Sequence, residues 1–161
     1  MKTSKFQDNL AFYKHSFDNA YPFKHIVIDN FLEDELAEQI LVDFPPPNGM
    51  DIMGSDSKRL LGWQLSPLSS NYNYKPSLNA LFDYLKSNEL RDAFSDISGI
   101  NGPLLSDPDY HGSGLLLAPQ GGIHKIHVDR TYHPTGGVFP RLVFLLYFNK
   151  DWLPEYGGGL Q

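Results

Sequence analysis

From Leu32 onward, the apolar residues Leu36, Ile40, Leu41 and Phe44 recur at helical spacing, with Glu33, Asp34 and Glu35 before them and Pro45-Pro46-Pro47 behind. Carboxylates favour the positive end of a helix and prolines cannot continue one, so this pattern predicts a helix closed by the proline run. Two more stripes follow. Leu78, Leu81, Phe82 and Leu85 come after Pro76, which suits a first helical turn, and Leu90, Phe94 and Ile97 are closed by Gly99 as a residue just past a helix end. Their expected role is core packing. Ahead of these helices, Phe23 to Ile28 is rich in β-forming residues and predicts a strand. Between the first and second helices, Asn48 to Tyr74 mixes Gly, Ser, Asn and Pro with Trp63, Tyr72 and Tyr74, and reads as irregular, an exposed connection first and a substrate-side loop second.

After Gly112 the period changes from helical to extended. Short β-rich runs occur at Leu115-Leu116-Leu117, Ile123 to Val128 and Leu142 to Phe148, separated by Gly and Pro. The last run is apolar on both faces, with Val143, Leu145 and Tyr147 on one and Leu142, Phe144, Leu146 and Phe148 on the other. Both faces of such a strand need cover. The expected class is therefore α+β, with helices backing a sheet whose other face lines an interior.

Composition narrows the chemistry. The 161 residues, 41% of them hydrophobic, are expected to form a single domain over 1–161. Within it, 1–104 would be a strand and helical support region and 105–161 the sheet-rich part. Net charge is −6 and no dense Lys/Arg run is present, so nucleic acid is not an expected partner. No apolar run approaches the ~20 residues of a membrane span, and the first residues lack the apolar stretch of a signal peptide, so a cytoplasmic location is expected. Oligomeric state is not legible. With no cysteine, any metal must be held by His and carboxylate, which favours iron or another borderline ion over structural zinc.

The candidate site is His127-Val128-Asp129. Side chains two residues apart project from the same face of a strand, so the imidazole and the carboxylate can converge on one ion. That is two thirds of a 2-His-1-carboxylate triad, the arrangement that leaves three positions open on non-haem Fe(II). His124, three residues before His127, turns to the opposite face. His133 is the better internal candidate for a third ligand, although its pairing with Pro134 reads first as turn chemistry, and His15, His25 and His111 rank behind it. Arg130, Tyr132 and Arg141 flank the site and are read first as solvated or salt-bridged.

Three pieces of the last third of the chain resemble the Fe(II)/2-oxoglutarate-dependent dioxygenases, in particular the prolyl 4-hydroxylase-like branch. They are Gly121-Gly122 leading into His127 and Asp129, then His133-Pro134-Thr135-Gly136-Gly137, then Tyr147-Phe148-Asn149 with Asp151-Trp152 and Gly157-Gly158-Gly159. A weaker likeness runs through Asp107-Pro108, Gly112-Ser113-Gly114-Leu115 and Pro22 to Leu32. The resemblance implies a double-stranded β-helix, or jelly roll, with the N-terminal helices packed on its major sheet. It implies His127 and Asp129 as catalytic metal ligands, Fe(II) as cofactor, 2-oxoglutarate and O₂ as co-substrates, and a small-molecule or peptidyl substrate hydroxylated at an unactivated C–H bond. Ascorbate is a further cofactor it suggests. It also implies a second metal-binding His some tens of residues beyond Asp129, then an Arg or Lys for the distal carboxylate of 2-oxoglutarate. Neither has a counterpart before Gln161, so the chain is expected to be an incomplete copy of the domain. The alternatives are a non-catalytic jelly-roll binding or assembly module that has lost the site, and a hydrolase using His127, Asp129 and His133 around zinc or manganese.

Overall fold

The computed structural model describes residues 6–56, 59–65, 73–107, 110, 113–122, 127–129, 131–134 and 137–158; for 52–56 and 59–65 it describes the backbone alone. Four α-helices run through the described part: α1 (Leu10–Asn19), α2 (Asp34–Asp43), α3 (Pro76–Leu85) and α4 (Asn88–Ser98). Three strands accompany them: β1 (Asp51–Asp56), β2 (Arg59–Leu65) and β3 (Leu115–Leu117).

Each predicted helix forms for the reason its pattern suggests. In α2 the first turn carries Asp34 and Glu35, and the chain turns extended at Phe44, the residue before the proline run. Ile40 is fully buried there, while Leu41 lies on the exposed side at 40%. In α3, Pro76 occupies the first turn and Leu78, Leu81, Phe82 and Tyr84 are buried. The Ser87 hydroxyl caps α4 by accepting from the Leu90 amide at 3.2 Å. At its other end Gly99 takes φ +65°, the left-handed conformation that glycine adopts without a Cβ penalty. Helix α1, which the apolar spacing did not single out, packs chiefly on α4.

The core is aromatic at its centre. Phe6, Phe31, Phe144 and Phe94 form a closed ring of contacts, with centroid separations of 5.2 Å for Phe6–Phe31, 5.3 Å for Phe31–Phe144, 5.4 Å for Phe94–Phe144 and 5.6 Å for Phe6–Phe94. These four residues belong to four separate stretches of chain. Phe6 and Phe31 are buried with Ile40, Leu78, Leu81, Leu90 and Ile97, whereas Phe94 is partly buried and Phe144 keeps 39% of its surface exposed at the edge of the cluster.

Several segments differ from the sequence expectation. Asn48 to Tyr74 is not irregular throughout, because β1 and β2 pair as an antiparallel hairpin with Asp51 opposite Gln64 and Asp56 opposite Arg59. Glycines at 54 and 62 and mixed polarity hide the alternation that would have marked these strands. Across the two intervening helices, β3 returns to the other side of β2, with Trp63 opposite Leu117 and Leu65 opposite Leu115. Conversely, Phe23 to Ile28 is not assigned as a strand. Ile26 and Ile28 pack on the core and Val27 is 76% exposed, an extended alternation that has no ladder partner among the described residues. Within Ile123 to Val128, residues 123–126 lie outside the described residues and 127–128 are in no strand.

Leu142 to Phe148 is likewise not a strand. Its two faces separate cleanly. Phe144, Leu146 and Phe148 pack against the helical core, whereas Val143 and Tyr147 are 66% and 61% exposed. Helices therefore cover one face as expected, and the other is open among the described residues, where one three-stranded sheet is present and no second sheet faces it. The end of the run is tied back to α2 by an ion pair between Lys150 and Glu38 at 2.6 Å.

Phe31→Ala is expected to cost about 3–5 kcal/mol, since it empties the middle of the aromatic ring. Val143→Ala, on the open face, should change stability by less than about 0.5 kcal/mol; urea denaturation of the two variants checks the contrast. A second expectation concerns pH. The Ser77 hydroxyl donates to Asp43 Oδ2 at 2.6 Å, joining α3 to the end of α2, and this bond, with a weaker one from Gln39, holds the Asp43 carboxyl below its ordinary value. A lowered folded-state pKa contributes stability that is present above the ordinary carboxylate range and is lost as pH falls through the lowered value. Ser77→Ala should move the Asp43 titration upward toward its ordinary value in carboxyl-detected NMR; an unmoved titration would rule out the bond as the cause.

Candidate metal site

His127 and Asp129 lie together, outside any strand, with His127 Nε2 3.1 Å from Asp129 Oδ1. The side chains are 49% and 65% exposed, so the pair stands at the surface and is open on one side. In the tautomer carrying its proton on Nε2, the imidazole donates to the carboxylate. The same separation has a second meaning. Two donors at ~2.1 Å from an octahedral ion and at right angles to each other lie about 3.0 Å apart. The pair thus already has the bite of two adjacent ligands, and binding would need the Nε2 proton to move to Nδ1. The i, i+2 spacing brings them to one side, as the extended reading expects, although no strand is assigned there.

The remaining histidines are engaged elsewhere or lie outside the description. His133 Nε2 is 3.2 Å from Asp107 Oδ1, and the two side chains are 12% and 31% exposed. His15 sits in α1, where its carbonyl accepts from the Asn19 side chain at 2.8 Å. His25 Nδ1 lies 2.9 Å from the Phe23 carbonyl, and its ring packs on that phenylalanine. His111 and His124, like Arg130, lie outside the described residues. Among the described residues no group of three His, Cys, Asp or Glu side chains converges as a metal site. Those residues thus offer two adjacent donors, a partial fit to the triad.

Flanking elements are locally organised. Tyr132 packs edge-on against Phe139 at 5.7 Å, Arg141 is exposed, and the His133 amide donates to the Val138 carbonyl at 2.9 Å, closing the turn after the site. Farther on, the Trp152 indole N–H donates to the Gly157 carbonyl at 2.9 Å and its ring meets Tyr156 at 5.3 Å. Gly157 and Gly158 have φ of +73° and +76°, so the glycine run after Asp151-Trp152 answers a backbone need. The Asp107–His133 pairing is the feature that sequence reasoning missed. Its partners are 26 residues apart, and no local signal joins them.

Compared with family models, curated proteins and solved structures, the chain matches none. No helix among the described residues is long and apolar enough to cross a membrane.

Gly157→Ala is expected to destabilise by about 1–3 kcal/mol, because φ +73° with ψ −154° is a backbone conformation essentially restricted to glycine, and not through a steric clash, since nothing lies within 4 Å of the added Cβ. The loss should appear together with a changed Trp152 fluorescence, measured in a Trp63→Phe background.

Proposed function

We propose that this chain carries the iron-binding His-x-Asp motif of an Fe(II)- and 2-oxoglutarate-dependent oxygenase, a hydroxylase of the prolyl 4-hydroxylase-like type built on a double-stranded β-helix. The observation that carries the reading is the 3.1 Å approach of His127 Nε2 and Asp129 Oδ1, donor atoms set two residues apart inside the motif that resembles that family. The helical layer behind Phe144, Leu146 and Phe148 and the open face of Val143, Leu145 and Tyr147 support it, since an interior-lining strand needs one covered and one inward face.

In this reading the bound iron, with 2-oxoglutarate and O₂, supplies the oxidising power that inserts oxygen into a C–H bond. The protein's part is placement. His127 contributes a neutral nitrogen donor and Asp129 an anionic oxygen that offsets part of the ion's charge. Because both side chains are about half exposed, the far side of the pair stays open to a chelating co-substrate and a substrate. A peptidyl substrate is the first candidate, with a small molecule as the other. The third ligand and the base for 2-oxoglutarate that the family requires have no assigned counterpart among the described residues. That favours one second reading, a jelly-roll binding or assembly module without a complete metal site.

His127→Ala and Asp129→Ala are each expected to abolish Fe(II) binding in the full-length protein, measured anaerobically by calorimetry. Iron affinity retained by both variants sinks the site. Iron-dependent release of succinate from 2-oxoglutarate then separates an oxygenase from a binding module, which would release none.

A further inference from the structure

We infer that His133, through its bond to Asp107, is a positioning residue that restrains the segment bearing the His127–Asp129 pair; the inference rests on the reading of that pair as metal ligands. From residue 127 to residue 145, every described residue except His133 is exposed. This is the reverse of what side-chain polarity dictates. Val128 at 85%, Tyr132 at 51% and Phe139 at 66% face solvent, while an imidazole at 12% points inward. A burial preference cannot produce that pattern, because Val and Phe gain more from leaving water than His does. A specific hydrogen bond can.

The bond reaches something fixed. Asp107 lies three residues before Tyr110, whose ring packs on Phe82 of α3 at 6.0 Å and lies under the Lys86 ammonium at 5.5 Å. Phe82 is itself buried in the core. Asp107 is thus close in sequence to a ring held by the helical layer, and its partner His133 is four residues from Asp129. On the far side, the His133 amide is bonded to the Val138 carbonyl, so the residue is held through both its backbone and its ring. Each residue of an unanchored stretch loses roughly 1–2 kcal/mol of conformational freedom when it is ordered. A ligand pair on an exposed segment would meet that cost at binding unless something had already fixed it.

The test uses the ring nitrogens of His127, observed by NMR in histidine-labelled protein, and the affinity for Co(II), an air-stable stand-in for Fe(II). His133→Leu should shift the His127 ring resonances as the imidazole–carboxylate contact loosens, and should weaken Co(II) binding by about tenfold, the scale of having to order about one further residue on binding. His133→Gln, whose amide nitrogen can reach Asp107, should restore both. Asp107→Ala removes the bond from the other side with His133 intact and should reproduce the shift. Ring resonances of His127 that stay unmoved in His133→Leu, or that His133→Gln fails to restore, overturn the inference. Failure of the proposed metal site shows itself separately, as Co(II) binding that is absent or indifferent to His127→Ala, and the ring resonances then still decide whether His133 positions the pair.

Discussion

Four phenylalanines hold the described structure together. Phe6 enters from the N-terminal segment, Phe31 from the turn before α2, Phe94 from α4 and Phe144 from the run that follows the candidate site. Tilted and edge-to-face ring pairs at these separations each add to the gain from burial. Because the four contacts close on themselves, no one segment can leave without breaking two. The aromatic ring is therefore what attaches the 141–149 run to the helices, and through that run it fixes one end of the stretch that bears His127 and Asp129. Between that run and the pair, the His133 side chain is bonded to Asp107.

Helices α2, α3 and α4 and the short strand β3 could be read from the sequence, whereas α1 and the β1–β2 hairpin could not, and the difference is physical. A surface helix buries one stripe, so Leu78, Leu81 and Phe82, or Leu90 and Ile97, announce it within a single local window. A strand is completed by a partner that lies elsewhere. The run Ile26-Val27-Ile28 has the extended alternation without a partner among the described residues, while Arg59–Leu65 has two partners and little alternation to betray them. The jelly roll implied by the resemblance rests on just such non-local pairings.

The candidate site divides the same way. That His127 and Asp129 would share a side followed from their spacing, and the separation of their donor atoms is a short-range matter of backbone geometry. The pairing of His133 with Asp107 did not follow, since His133-Pro134 reads locally as a turn and nothing near Asp107 marks it as an anchor. The closed phenylalanine ring was equally hidden, because each member looked like an ordinary apolar position in its own segment.

The short spacing of the ligand pair has a consequence for how such a site is gained or lost. Two donors on one stretch of backbone move as a unit, so their mutual bite survives any rigid shift of the segment. The placement of a third donor from elsewhere in a fold depends on every contact between the two segments. If His127 and Asp129 are ligands, as proposed, a chain of this kind would accumulate change in its core and keep its two-point chelate, while its hold on an ion in a full three-point geometry drifted. Metal selectivity, in that case, is a property of the packing between segments more than of the residues that touch the ion.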